Sequence, residues 1–125
     1  MSSILAGENQ ITISRGESAT IFLQVLDSTN AVVDLTGGKV YFTVKVTVKD
    51  TTPLIQKTSD LITQIVITYP RLGKCEIILD ASNTNTLDVG TYTYDIWVML
   101  SSGKKYPVIK PSVFEIEESV TRFAP

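Results

Sequence analysis

Apolar and polar positions alternate with period two in short runs separated by turn residues, the pattern of strands with one buried face. Residues 39–49 are the cleanest case. Val40, Phe42, Val44, Val46 and Val48 fall on one face, and Tyr41, Thr43, Lys45, Thr47 and Lys49 on the other. The first face is expected to be buried and the second wet. Residues 19–27 place Ala19, Ile21, Leu23 and Val25 on one side, leaving Phe22 and Leu26 outward. Further strands are predicted at 11–14, 54–58, 64–69, 75–79, 91–100 and 106–117.

The punctuation between the runs is equally informative. Arg15-Gly16, Ser28-Thr29-Asn30, the stretch 34–38, Asp50-Thr51-Thr52-Pro53 and Ser101-Ser102-Gly103 break the alternation with turn chemistry. Pro70-Arg71-Leu72-Gly73 reads as a hairpin loop. Residues 81–87 are polar, an irregular or helical turn. Pro107 and Pro111 cannot donate to a ladder, which suggests an edge strand. A bulge at Pro111 is expected because Ile109 and Phe114 otherwise fall on opposite faces.

Seven or eight evenly spaced strands without a sustained 3.6-residue pattern predict an all-β antiparallel sandwich. Asp88, Gly90 and Tyr92 have the spacing of a tyrosine corner, in which a tyrosine at the start of a late strand bonds back to the preceding connection. Tyr94 stands where antibody domains carry a cysteine, so the expectation is an immunoglobulin-like topology without a disulfide. One sandwich over 10–118 is flanked by arms at 1–9 and 119–125.

Composition narrows the chemistry. Thr, Val and Ile make up about a third of the 125 residues, suiting pleated surfaces. With no histidine, neither a Ser-His-Asp nor a Cys-His catalytic site can be built, nor a His-ligated metal site. Eleven basic against thirteen acidic residues, a net charge of −2, give no reason to expect nucleic acid or an acidic membrane as partner. A lone cysteine, Cys75, rules out an internal disulfide; it alternates with Ile77 and Leu79 toward the core. The first ten residues lack the basic and apolar regions of a signal peptide, and no apolar stretch is long enough to span a bilayer.

Candidate chemistry is sparse. Asp80, Asp88 and Asp95 are the plausible carboxylates, and each has a turn, corner or solvated role instead of a converging partner. The loop 80–85 is rich in oxygen but holds one carboxylate, short of a calcium site. No helix follows Gly37-Gly38 to present its N-terminus to a phosphate. No cofactor and no enzymatic activity are expected.

Outward aromatics are the informative anomaly. Parity in the strand at 91–100 sends Tyr92, Tyr94, Ile96 and Val98 inward and Trp97 and Met99 outward. Tyr41 is outward on a neighbouring strand, so Trp97, Met99 and Tyr41 are expected to form an apolar patch rimmed by Lys45 and Asp95. Such groups mark interfaces, unless an arm or the 50–62 connection folds over them. Phe22 and Leu26, outward on the second strand, are expected to form a smaller patch on the other sheet. Lys39, Lys45, Lys49 and Lys57 make the middle of the chain basic, against Glu115, Glu117 and Glu118 near its end.

The order of segments carries a further indication. Ile11-Thr12-Ile13-Ser14-Arg15-Gly16-Glu17 is followed by Val33-Asp34-Leu35-Thr36-Gly37, Val40-Tyr41-Phe42-Thr43-Val44-Lys45 and Leu54-Ile55-Gln56-Lys57-Thr58. Then come Leu87-Asp88-Val89-Gly90-Thr91-Tyr92-Thr93-Tyr94-Asp95-Ile96 and Val120-Thr121-Arg122. This series resembles the immunoglobulin-like domains of tailed-phage structural proteins, notably the N-terminal domain of the baseplate upper protein family. Gly38-Lys39 departs from the small residue plus Thr or Ser of that pattern. The resemblance implies a virion protein synthesised in the host cytoplasm. Its partners would be other virion proteins and copies of itself, in the tail, the baseplate or a capsid decoration. The rival expectation is a carbohydrate-binding module whose Trp97 and Tyr41 stack on a host-surface glycan.

Overall fold

In the computed structural model, residues 2–3 and 10–120 are described, Ser2 and Ser3 by their backbone alone. Met1, residues 4–9 and 121–125, and with them most of both expected arms, lie outside the described residues. The strands are β1 (Ser2–Ser3), β2 (Ile11–Ser14), β3 (Ala19–Gln24), β4 (Lys39–Lys45), β5 (Ile55–Thr58), β6 (Ile65–Tyr69), β7 (Lys74–Leu79), β8 (Gly90–Met99) and β9 (Lys105–Glu117). A 3-10 turn (Pro70–Leu72) joins β6 to β7, and one helical turn, α1 (Ala81–Thr84), precedes the crossing to β8.

These strands form two sheets, in the orders β1-β3-β7-β6 and β2-β9-β8-β4-β5. Strands β3, β7 and β6 thus share one layer, and β4, β8 and β9 the other. That is the immunoglobulin-like arrangement, with β5 extending the second layer. Inward residues from the two sheets meet in one core, including Ile21, Leu23 and Ile77 from the first and Val40, Phe42, Tyr94 and Ile96 from the second. At its centre the rings of Phe42, Tyr94 and Phe114 pack with centroids 5.6, 6.2 and 6.3 Å apart. Tilted and edge contacts at these separations add to the area they bury.

Local chemistry explains the connections. Asp27 Oδ1 accepts from the backbone N–H and the hydroxyl of Thr29, and Asn30 takes φ 66° in the tight turn that follows. Asp34 Oδ1 holds Thr36 in the same way at 2.9 and 2.6 Å. These bonds hold both exposed carboxyls below their ordinary value. The hydroxyl of Tyr92 donates to the carbonyl of Asp88 at 2.5 Å, completing the tyrosine corner. In residues 81–84 the loop weighed as a calcium site is a helical turn. There Asn83 Oδ1 accepts the Asp80 N–H, and the buried Thr84 hydroxyl accepts the Gly16 N–H.

The structure departs from sequence expectation in four places. Strand β4 ends at Lys45, so Val46 and Val48 are exposed instead of buried. Partner β5 begins at Ile55 opposite Val44 and β8 pairs with β4 only as far as Lys45 opposite Thr93, so neither flanking strand holds the chain past Lys45. The sandwich is not wholly antiparallel, since β2 runs parallel to β9, pairing Ile11 with Phe114 and Ser14 with Glu117. Strand β9 is consequently interior over that half and an edge only near its proline-bearing start. Lys57 faces inward opposite Phe42 at 6% exposure, so it is not part of a basic surface. The bulge near Pro111 is present, and a second register shift lies between Ile96 and Trp97. Both Ile109 and Phe114 reach the core as a result.

Candidate functional site

The outer face of the five-stranded sheet carries the expected patch. Direct cross-strand pairs share a face, so the register builds it in rungs. Pro107, Trp97, Tyr41 and Thr58 form one rung across β9, β8, β4 and β5. Lys105, Met99 and Lys39 form the next toward one end. Asp95, Thr43 and Gln56 form the rung on the other side, followed by Val113, Thr93 and Lys45.

Trp97 is 40% exposed, an unusual state for so large an apolar side chain at the middle of a sheet. Tyr41 and Met99 are half-buried beside it. The indole N–H donates to Asp95 Oδ2 at 3.1 Å, two residues back on the same face, which fixes the ring's orientation. Lys39 pairs with Asp60 at 3.2 Å; this ion pair is exposed and contributes little to stability. Lys45 lies two rungs from Tyr41, so it borders the patch at a distance.

Phe22 is not brought to this face. It sits half-buried on β3 of the opposite sheet, lining a separate shallow cleft with Thr20 and Ile78. Leu26, expected beside it, lies past the end of β3. There it joins Val32, Leu100, Tyr106 and Val108 around an apolar cleft of about 610 Å³ between the sheets at one end of the sandwich. Sequence reasoning missed this cleft because the 25–33 and 98–108 hairpins that frame it meet only in three dimensions.

The segment suspected of covering the patch takes another course. Val48, Thr51 and Pro53 wall a cleft over Thr43, Lys45, Gln56, Thr93 and Asp95, and Trp97 stays open. Asp80, Asp88 and Asp95 fall before α1, before β8 and within β8, on separate elements. Burial of Cys75 pushes its thiol up to about 12, the neighbouring Glu76 carboxylate adding to the effect; it is not a poised nucleophile. Among the described residues no helix is long and apolar enough to cross a membrane.

No protein-family model matches the chain, and no curated protein matches it significantly.

Proposed function

We propose that this protein is a non-enzymatic structural component of a tailed-bacteriophage virion that acts by protein–protein assembly. The observation that supports the reading is Trp97, open to solvent between Tyr41 and Pro107 on the outer face of the sheet. Aromatic residues and methionine so placed are the residues that anchor interface cores. The resemblance of the segment order to phage immunoglobulin-like domains favours a tail or baseplate position over capsid decoration. The rigid sandwich presents the patch, and neighbouring virion proteins or further copies of the chain cover it.

Charge along the same face suits head-to-tail packing of copies. Lys39 and Lys105 occupy the rung of Met99, whereas Glu115 and Glu117 lie near the start of β8 at the far end. A heterologous contact would bring the two ends together and would weaken with salt.

Light scattering on a sizing column, over a wide concentration range, tests the reading. A defined oligomer that Trp97→Ala fails to form, while its thermal unfolding stays cooperative, is the expected result. A strict monomer at the highest concentration would overturn self-assembly through this face.

A further inference from the structure

Beside the aromatic rung the sheet face is not flat. Two departures of the backbone raise walls on it. Strand β4 leaves the sheet after Lys45, carrying Val48, Thr51 and Pro53 over its end. On the other side of β8, the bulge leaves Asp95 without a directly opposed residue in β9 and sets Pro111 at the margin. Between them lies a cleft of about 320 Å³, at the small end of the range for ligand sites and the right scale for one ring.

Its floor is polar and unspent. Thr43, Lys45, Gln56 and Thr93 make no side-chain hydrogen bond to another group among the described residues, and neither Lys45 nor Asp95 shares in the ion pair found there. One oxygen of Asp95 accepts from the Trp97 indole, and its other oxygen is left for a ligand. A carboxylate that only accepts, an ammonium that only donates, and hydroxyl and amide groups that do both are therefore gathered in one concavity. One charge of each sign leaves the site without the surplus a phosphate or a metal cation would need. Groups that each donate and accept are the complement, which is the chemistry of a polyol. The indole of Trp97 stands just outside this lining, its N–H turned toward Asp95, which holds the carboxylate at the cleft margin.

We infer that this cleft binds a neutral pyranose ring, with Asp95, Lys45 and Gln56 as its hydrogen-bonding residues. The site stands apart from the assembly reading. It lies on the Thr43–Asp95 side of Trp97, is complete in one copy of the chain, and would bind whether or not copies associate.

The test is a titration of the isotope-labelled 125-residue chain with glucose, galactose and N-acetylglucosamine, followed by amide chemical shifts. For a ligand of this size, saturable shifts at Thr43, Gln56, Thr93 and Asp95 are expected with at least one sugar, at a Kd of roughly 1–10 mM. Gln56→Ala and Asp95→Asn should each weaken that binding about tenfold or more while the rest of the spectrum stays native. Asparagine can still accept the indole N–H, so the second variant keeps the ring in place. Three outcomes would overturn the inference: no saturable shift with any of the three sugars, shifts outside the cleft, or shifts that both variants leave unchanged. Saturable binding of inorganic phosphate at these residues in place of a sugar would do so too. Sizing of Trp97→Ala reads the assembly proposal separately, so either can fail alone.

Discussion

The Tyr92 hydroxyl donates to the backbone carbonyl of Asp88 at 2.5 Å, tying the first residues of β8 to the connection that crosses from one sheet to the other. The acceptor is a main-chain oxygen, so the bond depends on the tyrosine and not on the aspartate side chain. Tyr92→Phe should therefore cost about 1–2 kcal/mol, and Asp88→Ala less than about 0.5 kcal/mol. Denaturant unfolding of the two variants separates them. Equal losses would mean that the carboxylate, not the corner bond, holds the crossing.

Gly73 takes φ 68° after the 3-10 turn, and a Cβ there would stand 2.7 Å from the carbonyl oxygens of both Val25 and Val33. Those oxygens are backbone and cannot swing away. The Gly73 carbonyl also accepts the Val25 N–H at 2.8 Å, and Pro70 accepts from Leu35 at 2.7 Å, so the turn anchors the 25–35 segment to the β6–β7 hairpin. Gly73→Ala should lose at least about 2 kcal/mol from backbone strain and the clash together. Thermal unfolding measures this, and a shift within error would show that the hairpin relaxes freely.

The tyrosine corner and this turn were legible because each is written in a few consecutive residues. So was the Pro111 bulge, since a strand that must bury both Ile109 and Phe114 cannot keep one parity. Patterning also placed Trp97 and Tyr41 on the outer face. It failed where the cause was non-local. Nothing in residues 46–49 announces that β5 begins only opposite Val44, so Val46 and Val48 looked buried. The parallel pairing of β2 with β9 joins segments about a hundred residues apart. The polar cleft arises only where a loop after β4 and a bulge in β9 flank the same stretch of β8.

Alkaline pH should destabilise the fold. Burial raises Cys75 from its ordinary 9.0 to about 12, and it also pushes the phenols of Tyr92 and Tyr94 upward. A raised acid holds its proton longer in the folded chain than in the unfolded one. Stability is therefore complete below pH 9 and falls as pH climbs from 9 toward 12, by about 1.4 kcal/mol per unit for the thiol alone. Guanidinium midpoints at pH 7 and pH 10.5 should differ, and Cys75→Val should narrow the difference. An identical difference in the variant would assign the loss to the tyrosines.

Lys57 points inward from β5, the outermost strand of its sheet, and yet no buried side-chain nitrogen or oxygen among the described residues lacks a partner. Its ammonium makes no ion pair there, so the stem lies along the core beside Phe42 while the charge reaches water at the sheet edge. An inward-pointing charge on an edge strand is a known guard against strand-to-strand association, because a second strand laid along β5 would have to desolvate it. Gln64 Oε1, accepting the Thr58 N–H at 3.0 Å, blocks the same edge further along. Replacing the lysine by an apolar β-branched residue removes the desolvation cost without opening a large cavity. Lys57→Val should thus fold with stability within about 1 kcal/mol of the parent, yet aggregate faster on mild heating. Turbidity at matched fractions of unfolded protein separates edge pairing from simple destabilisation. Equal turbidity would mean that Lys57 guards nothing and merely fills the space beside Phe42.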